Sequence, residues 1–371
     1  MRNLFICTKP YQYLMCRLIV ESYGYTNSEL IVLNHFKGAH NFVNNLQNLK
    51  TWSRVYFVDD TAINEFSSKL TPIRKFFFYR NWQKLLPLCV ESWDGYNNLY
   101  LAHEGVATEY GIMRKFYKQK KSVVMYEEGV GNYINVNEHQ NLFERLLKEK
   151  SHLLGIPGNY LGRLRYVDKI LIQRPYIITN DGHNPIREKV VQLPMPMSKF
   201  LLLDNIKEEM KKIFPELNNF LSQIKEVSKV SILLGESFNV GVSNYNKYMN
   251  KIINLTEQLS READIILVKQ HPGDNKKLEL KNVTNKKIIL VPKDLPIELL
   301  YIEASKKLKL LKIFTFGSTA VINLYNLFSN QCKINITMFI DKKLPDKYSK
   351  GISRFRKLVP KFGIKYSIIS I

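Results

Sequence analysis

The sequence has little cysteine: Cys7, Cys16, Cys89 and Cys332 are the only ones in 371 residues, with no paired spacing and no Cys-x-x-Cys. That argues against a disulfide framework or a cysteine zinc site and fits a reducing compartment. Acidic residues are scarce beside basic ones, 33 against 55, which leaves a formal net charge of +22. Such an excess attracts anions: nucleic acid, anionic lipid, a nucleotide or an acidic glycan. No run of about 18 apolar residues occurs, so no membrane-spanning helix is expected. No secretory leader is read at the start, because Leu4-Phe5-Ile6-Cys7 is too short for a signal core. Internal repeats and low-complexity tracts are missing. So are the glycine-rich phosphate signatures, both the Walker loop and Gly-x-Gly-x-x-Gly. Without an Asp-x-Asp pair there is no dedicated site for a metal bound to a diphosphate.

What is present is a globular composition, 45% hydrophobic, in a chain long enough for two α/β domains of ordinary size. Short apolar runs alternate with helical periodicity. Strands are read at Leu4–Cys7, Leu30–Leu33, Val55–Val58, Leu99–Ala102, Ser122–Met125 and Lys169–Ile172, with a further one open at Tyr176–Ile178. Helices are read at Tyr11–Tyr23, near Phe42–Leu49, at Val106–Tyr117 and at His139–Leu154. After charged helices within Lys199–Val227 the rhythm restarts. Strands follow at Val230–Leu234, Ile265–Val268, Ile288–Val291, Ile313–Phe316 and Ile334–Phe339, with helices at Tyr245–Ser260 and Val321–Phe328. Alternation of this kind predicts parallel, doubly wound sheets, with ligands at the carboxyl ends of their strands.

Three strand ends carry candidate chemistry. Lys269-Gln270-His271-Pro272-Gly273 follows the strand Ile265–Val268. Pro272 fixes its own φ and pushes His271 toward an extended backbone, from which an imidazole can donate near neutral pH. Tyr126-Glu127-Glu128-Gly129-Val130-Gly131 follows the strand at Ser122–Met125. Two carboxylates sharing a crevice raise each other's pKa, which suits one as a general base, and the glycines leave room for a bulky ligand; a polar turn with solvated acids is the other reading. Gly317-Ser318-Thr319-Ala320 opens a helix, where free backbone N–H groups and small hydroxyls suit a phosphate or simply cap the helix. Asp59-Asp60 reads either as a ligand pair or as a loop start and helix cap. Ile73–Leu88 mixes aromatic and basic residues and fits either a membrane interface or a helix packed on the sheet.

In order, the motifs Tyr-Glu-Glu-Gly-x-Gly-Asn, Ile-Leu-Leu-Gly, His-Pro and Phe-Thr-Phe-Gly-Ser-Thr-Ala resemble those of the bacterial sialyltransferases. The set is most similar to glycosyltransferase family 52, the lipooligosaccharide sialyltransferase group, from about Met125 to Leu324. The resemblance implies two Rossmann-like doubly wound domains facing a cleft (GT-B type), 1–200 on the acceptor side and 201–371 binding the CMP-sugar. It implies an inverting transfer of sialic acid from CMP-sialic acid to a bacterial surface glycan, lipooligosaccharide or capsule, with no cofactor and no metal. It places Glu127, Glu128 and Gly129 near the acceptor. It places His271, beside Pro272, as donor to the departing CMP phosphate, and Ser318 and Thr319 as holders of that phosphate. Glu298, just after Pro296, would bind the ribose hydroxyls, and Gly235 closes the Leu-Leu-Gly strand. The family has an aspartate shortly after that strand, assigned as base; this chain has Phe238 there, with Glu236 the nearest carboxylate. The base is therefore Glu236 or one of Glu127 and Glu128.

That departure leaves the donor open too: CMP-legionaminic or CMP-pseudaminic acid needs the same parts. A nucleic-acid-binding protein is the alternative of another class, resting on charge alone; no binding motif appears and the basic residues are dispersed. The remaining expectations are a cytoplasmic enzyme, peripheral on the inner face of the cell membrane through anionic lipid, with a homodimer left open.

Overall fold

The computed structural model describes residues 1–133, 161–182, 184–235, 245–271, 278, 288–341, 352–353 and 355–371. The chain divides into two units, Met1–Pro196 and Met197–Ile371. The helix Met197–Leu201 opens the second unit.

The first unit holds a seven-stranded sheet of β1 (Asn3–Cys7), β2 (Ser28–Leu33), β3 (Arg54–Val58), β4 (Asn98–Leu101), β5 (Ser122–Tyr126), β6 (Lys169–Ile172) and β7 (Val190–Gln192). Their order is β3-β2-β1-β4-β5-β6-β7 and every pairing is parallel. The second unit holds a six-stranded sheet of β8 (Lys229–Leu234), β9 (Ile265–Lys269), β10 (Ile288–Leu290), β11 (Leu310–Thr315), β12 (Lys333–Ile340) and β13 (Ser367–Ser370). Its order is β10-β9-β8-β11-β12-β13, again all parallel. Each unit is Rossmann-like and doubly wound, the α/β class read from the sequence.

Parallel neighbours need crossover connections, and helices on both faces bury the strands on both faces. Hence the unbroken apolar runs: β1 and β2 are buried at every position. In the first unit Phe5 of β1 stacks on Tyr100 of β4 with ring centroids 4.4 Å apart. In the second, helix Tyr245–Leu259 lays Met249, Ile252 and Ile253 on Leu233, Ile266 and Val268.

One open reading is corrected, two strands were not foreseen, and one expected helix falls outside. Tyr176–Ile178 is no strand: helix Tyr176–Thr179 forms there, started by Pro175 at φ −57. The edge strands β7 and β13 escaped the pattern because they are short and largely exposed. The helix expected at 139–154 lies outside the described residues.

The aromatic and basic segment divides between its two readings. It forms helix Pro72–Arg80 and a 3-10 turn, Trp82–Leu85. Tyr79, Trp82 and Leu85 are buried, and Tyr79 meets Tyr110 of helix Ala107–Lys118 at a centroid distance of 4.8 Å. Gly111 makes that packing possible, since a Cβ there would lie 2.8 Å from Leu85 Cβ. Ile73, Phe77 and Leu88 remain 73%, 57% and 99% exposed, among the exposed Arg74, Arg80 and Lys84. Among the described residues no helix is long and apolar enough to cross a membrane.

Candidate active site

In the first sheet the strand order reverses between β1 and β4. Loops leaving that point diverge to opposite faces, which opens a crevice at the strand ends. The residues just past β1, β4 and β5 meet there. Glu128, after β5, is held from two sides. Its Oε1 accepts Lys9 Nζ at 2.5 Å and Gln12 Nε2 at 3.1 Å. Its Oε2 pairs with Nε2 of His103. Lys9 follows β1, Gln12 lies on helix Pro10–Tyr23, and His103 follows β4. The Glu128 backbone N–H donates to Asn132 Oδ1 at 3.2 Å, which fixes the turn. Burial alone would push the Glu128 carboxyl up, but His103 and Lys9 outweigh it and hold it down at about 2. The side chains of Glu128 and His103 keep 15% and 24% of their surface, so the pair reaches solvent.

Glu127, one residue earlier, points the other way along the strand and is 0% exposed. Its Oε2 accepts Gln173 N at 2.6 Å and Tyr133 Oη at 2.7 Å, and its Oε1 accepts Gln173 Nε2 at 3.2 Å. Burial pushes its carboxyl up to about 7, against those hydrogen bonds. It ties β5 to the loop after β6. Gly129 has φ 151, a backbone few side chains tolerate, and lets the chain turn away from the pair. Of the Asp59-Asp60 pair, Asp59 accepts Thr61 N at 3.1 Å, as a cap does, and buried Asp60 pairs with His35 Nε2 at 2.7 Å.

In the second sheet the order reverses between β8 and β11. Gly235 ends β8 and presses on the end of β9: its N–H donates to Lys269 O at 2.8 Å, and a Cβ would come within 3.2 Å of that oxygen. Lys269 is 7% exposed and donates from Nζ to Pro292 O at 2.7 Å and Lys293 O at 2.6 Å. Burial lowers its ammonium to about 7, with Glu298 and Asp294 opposing. His271 follows, half-buried. Past β11, Thr315 Oγ1 accepts the N–H groups of Gly317 at 3.0 Å and Ser318 at 2.9 Å. Thr315 thus consumes two donors that the sequence reading offered to a phosphate. Ser318 is half-buried and Thr319 exposed at the start of helix Ala320–Phe328. Glu298 is 4% exposed and its Oε1 accepts Asn323 Nδ2 at 2.8 Å, so it braces that helix from the core side. Glu236 and Pro272 lie outside the described residues.

The structure thus gathers Glu128 with Lys9, Gln12 and His103 in one unit. In the other it sets Gly235 beside His271, with Ser318 and Thr319 past the neighbouring strand. Lys9, Gln12 and His103 were missed as site residues; their position past the strands that flank a reversal is a signal available only once strand order is known. Thr315 and Lys269 stand inside the quoted motifs but received no role, because both look like ordinary strand ends. Among the described residues no group of three His, Cys, Asp or Glu is placed to hold a metal ion.

The family model for alpha-2,8-polysialyltransferase (POLYST) matches residues 3–336. No curated protein sequence matches the chain. Among solved structures, a sialyltransferase from Photobacterium damsela is 14% identical with a TM-score of 0.54, covering 99% of this chain and 81% of that one. The wall teichoic acid polymerase TagF is 13% identical with a TM-score of 0.50, covering 99% of this chain and 76% of that one. At such identities the likeness is one of fold.

The Glu128 cluster has a pH signature. A carboxyl held at about 2 in the folded chain, against the ordinary 4.5, adds stability that is fully present above about pH 4.5 and is lost as pH falls toward about 2. Glu128→Gln should therefore flatten the loss of unfolding free energy below about pH 4.5, by an amount on the order of 3 kcal/mol. Parallel curves for the two proteins would show that the ion cluster is not formed.

Proposed function

We propose that this chain, which belongs to the alpha-2,8-polysialyltransferase family, is a glycosyltransferase that moves sialic acid from CMP-sialic acid to a hydroxyl of a bacterial surface glycan, with inversion and without a metal. The observation that carries the reading is the ion-held carboxylate Glu128, in reach of solvent at a strand-order reversal, in a chain of this family. Polysialyl transfer in the family's name supports an acceptor that already carries sialic acid, and the net charge of +22 suits such a polyanionic glycan.

The first unit is the acceptor side. Glu128, and not the enclosed Glu127, takes part in activating the acceptor hydroxyl; Glu236 is held in reserve as base by its place after β8. The second unit is the donor side. The transition state is oxocarbenium-like, and negative charge grows on the departing phosphate. His271 donates to that phosphate, Ser318 and Thr319 hold it from the helix start, and Gly235 keeps the two strand ends close. Glu298 contributes by holding Asn323 of that helix, whose Nδ2 donates to its Oε1. Attachment to the inner face of the membrane uses Ile73, Phe77 and Leu88 in the apolar boundary, with Arg74, Arg80 and Lys84 on lipid phosphates.

Two measurements test this. Purified protein given CMP-sialic acid and an oligosialic acceptor should release CMP, and excess EDTA should leave the rate within about twofold. No release, or loss in EDTA that magnesium restores, would sink the donor or the metal-free mechanism respectively. The protein should also co-sediment with anionic vesicles and detach in about 1 M salt, where the screening length is about 3 Å. Binding that ignores salt contradicts an electrostatic attachment.

A further inference from the structure

The carboxylate that faces the crevice has three of its four lone-pair sites taken. Glu128 Oε1 is taken by Lys9 and Gln12, and Oε2 by His103. A proton acceptor needs a free lone pair in reach of the substrate hydroxyl and an affinity for the proton near working pH. Glu128 keeps at most one lone pair, on the oxygen already turned to His103, and the ion cluster stabilises its charged form. The imidazole beside it is differently placed. With Nε2 directed at a carboxylate that can only accept, the proton of neutral His103 sits on Nε2, and Nδ1 carries the lone pair. Among the described residues the ring's polar contact is with Glu128. Behind the pair, Glu109 is wholly buried beside Glu128 and Asp60; its carboxyl approaches the N–H groups of Ala102 and His103 without reaching hydrogen-bond geometry. Burial beside those two acids pushes the Glu109 carboxyl well up, which disfavours a second negative charge beside the imidazole. Asp60 is occupied by His35.

We infer that His103 is the catalytic base of the acceptor side and that Glu128, clamped by Lys9, is its positioning residue. This rests on the sialyl-transfer reading. In the step, the acceptor O–H bond breaks and its proton passes to His103 Nδ1. The oxygen's electron pair forms the bond to the anomeric carbon, and the bond from that carbon to the phosphate oxygen breaks, its pair leaving with CMP. Glu128 stays ionised and stabilises the imidazolium through the Nε2–H hydrogen bond, while Lys9 holds the carboxylate in place. The proton then returns to water. A carboxylate that orients an imidazole and stabilises its charged form is the general logic of base activation.

The test compares His103→Gln and His103→Ala with the unaltered protein by CMP release in the presence of acceptor. Glutamine can still donate to Glu128 but cannot take up the proton, so His103→Gln should lose about 10²–10⁴-fold in kcat with the KM for CMP-sialic acid within about threefold. Added imidazole should restore His103→Ala at least about tenfold, a recovery that a purely structural role would not give. His103→Gln within about threefold of the unaltered kcat overturns the proposal, as does a loss in His103→Ala that imidazole does not restore. An unaltered protein that releases no CMP brings down the sialyl-transfer reading itself, and His103 as base falls with it.

Discussion

The constraint on which both units depend is the reversal of strand order beside the strand that begins each sheet. β1 lies between β2 and β4, and β8 between β9 and β11. Because each crossover in a parallel sheet turns the same way, strands added on opposite sides send their helices to opposite faces. The backbone parts at the carboxyl ends, and side chains there are backed by a buried sheet yet open to a ligand. Lys9 and His103 stand on the two sides of the first parting; Gly235 and the Gly317-Ser318 turn stand on the two sides of the second. The chemistry is distributed as the topology requires, with a charged cluster on one sheet and a small-residue helix start on the other.

Alternation along β5 and its exit gives two adjacent glutamates opposite fates. Glu127 faces inward, is pushed up to about 7 by burial, and spends its oxygens on Gln173 and Tyr133. Glu128 faces the crevice, where His103 and Lys9 overcome burial and hold it at about 2. One is a brace and the other an anion kept ready to steady a neighbouring cation. A similar division holds in the second unit. Glu298 and Lys269 are buried and bind the loops together, while His271, Ser318 and Thr319 keep access to solvent.

The doubly wound class was legible because apolar strands such as Phe5-Ile6-Cys7 and Ile265-Ile266-Leu267 are buried on both faces and leave continuous runs. The loops that matter were legible too, since glycine, proline and paired acids mark strand ends. What each side chain does there was not. Nothing local distinguishes Glu127 from Glu128; their environments come from Gln173, about fifty residues away, and from Lys9 at the other end of the unit. His103 directly follows the strand read at Leu99–Ala102 and nothing local marks it, because its partner lies one strand over. Thr315 looks like the last residue of a strand, and only the fold shows its hydroxyl taking the N–H groups of Gly317 and Ser318. The short edge strands β7 and β13 were hidden by their own exposure.

The central claim is that the second parting holds the nucleotide and the first holds the groups that activate the acceptor. A crystal structure of the complex with CMP tests it most directly. The phosphate should lie over the ends of β8 and β11, within hydrogen-bond distance of the Ser318 or Thr319 hydroxyl. A phosphate seated instead on Lys9 and His103, at the ends of β1 and β4, would contradict it.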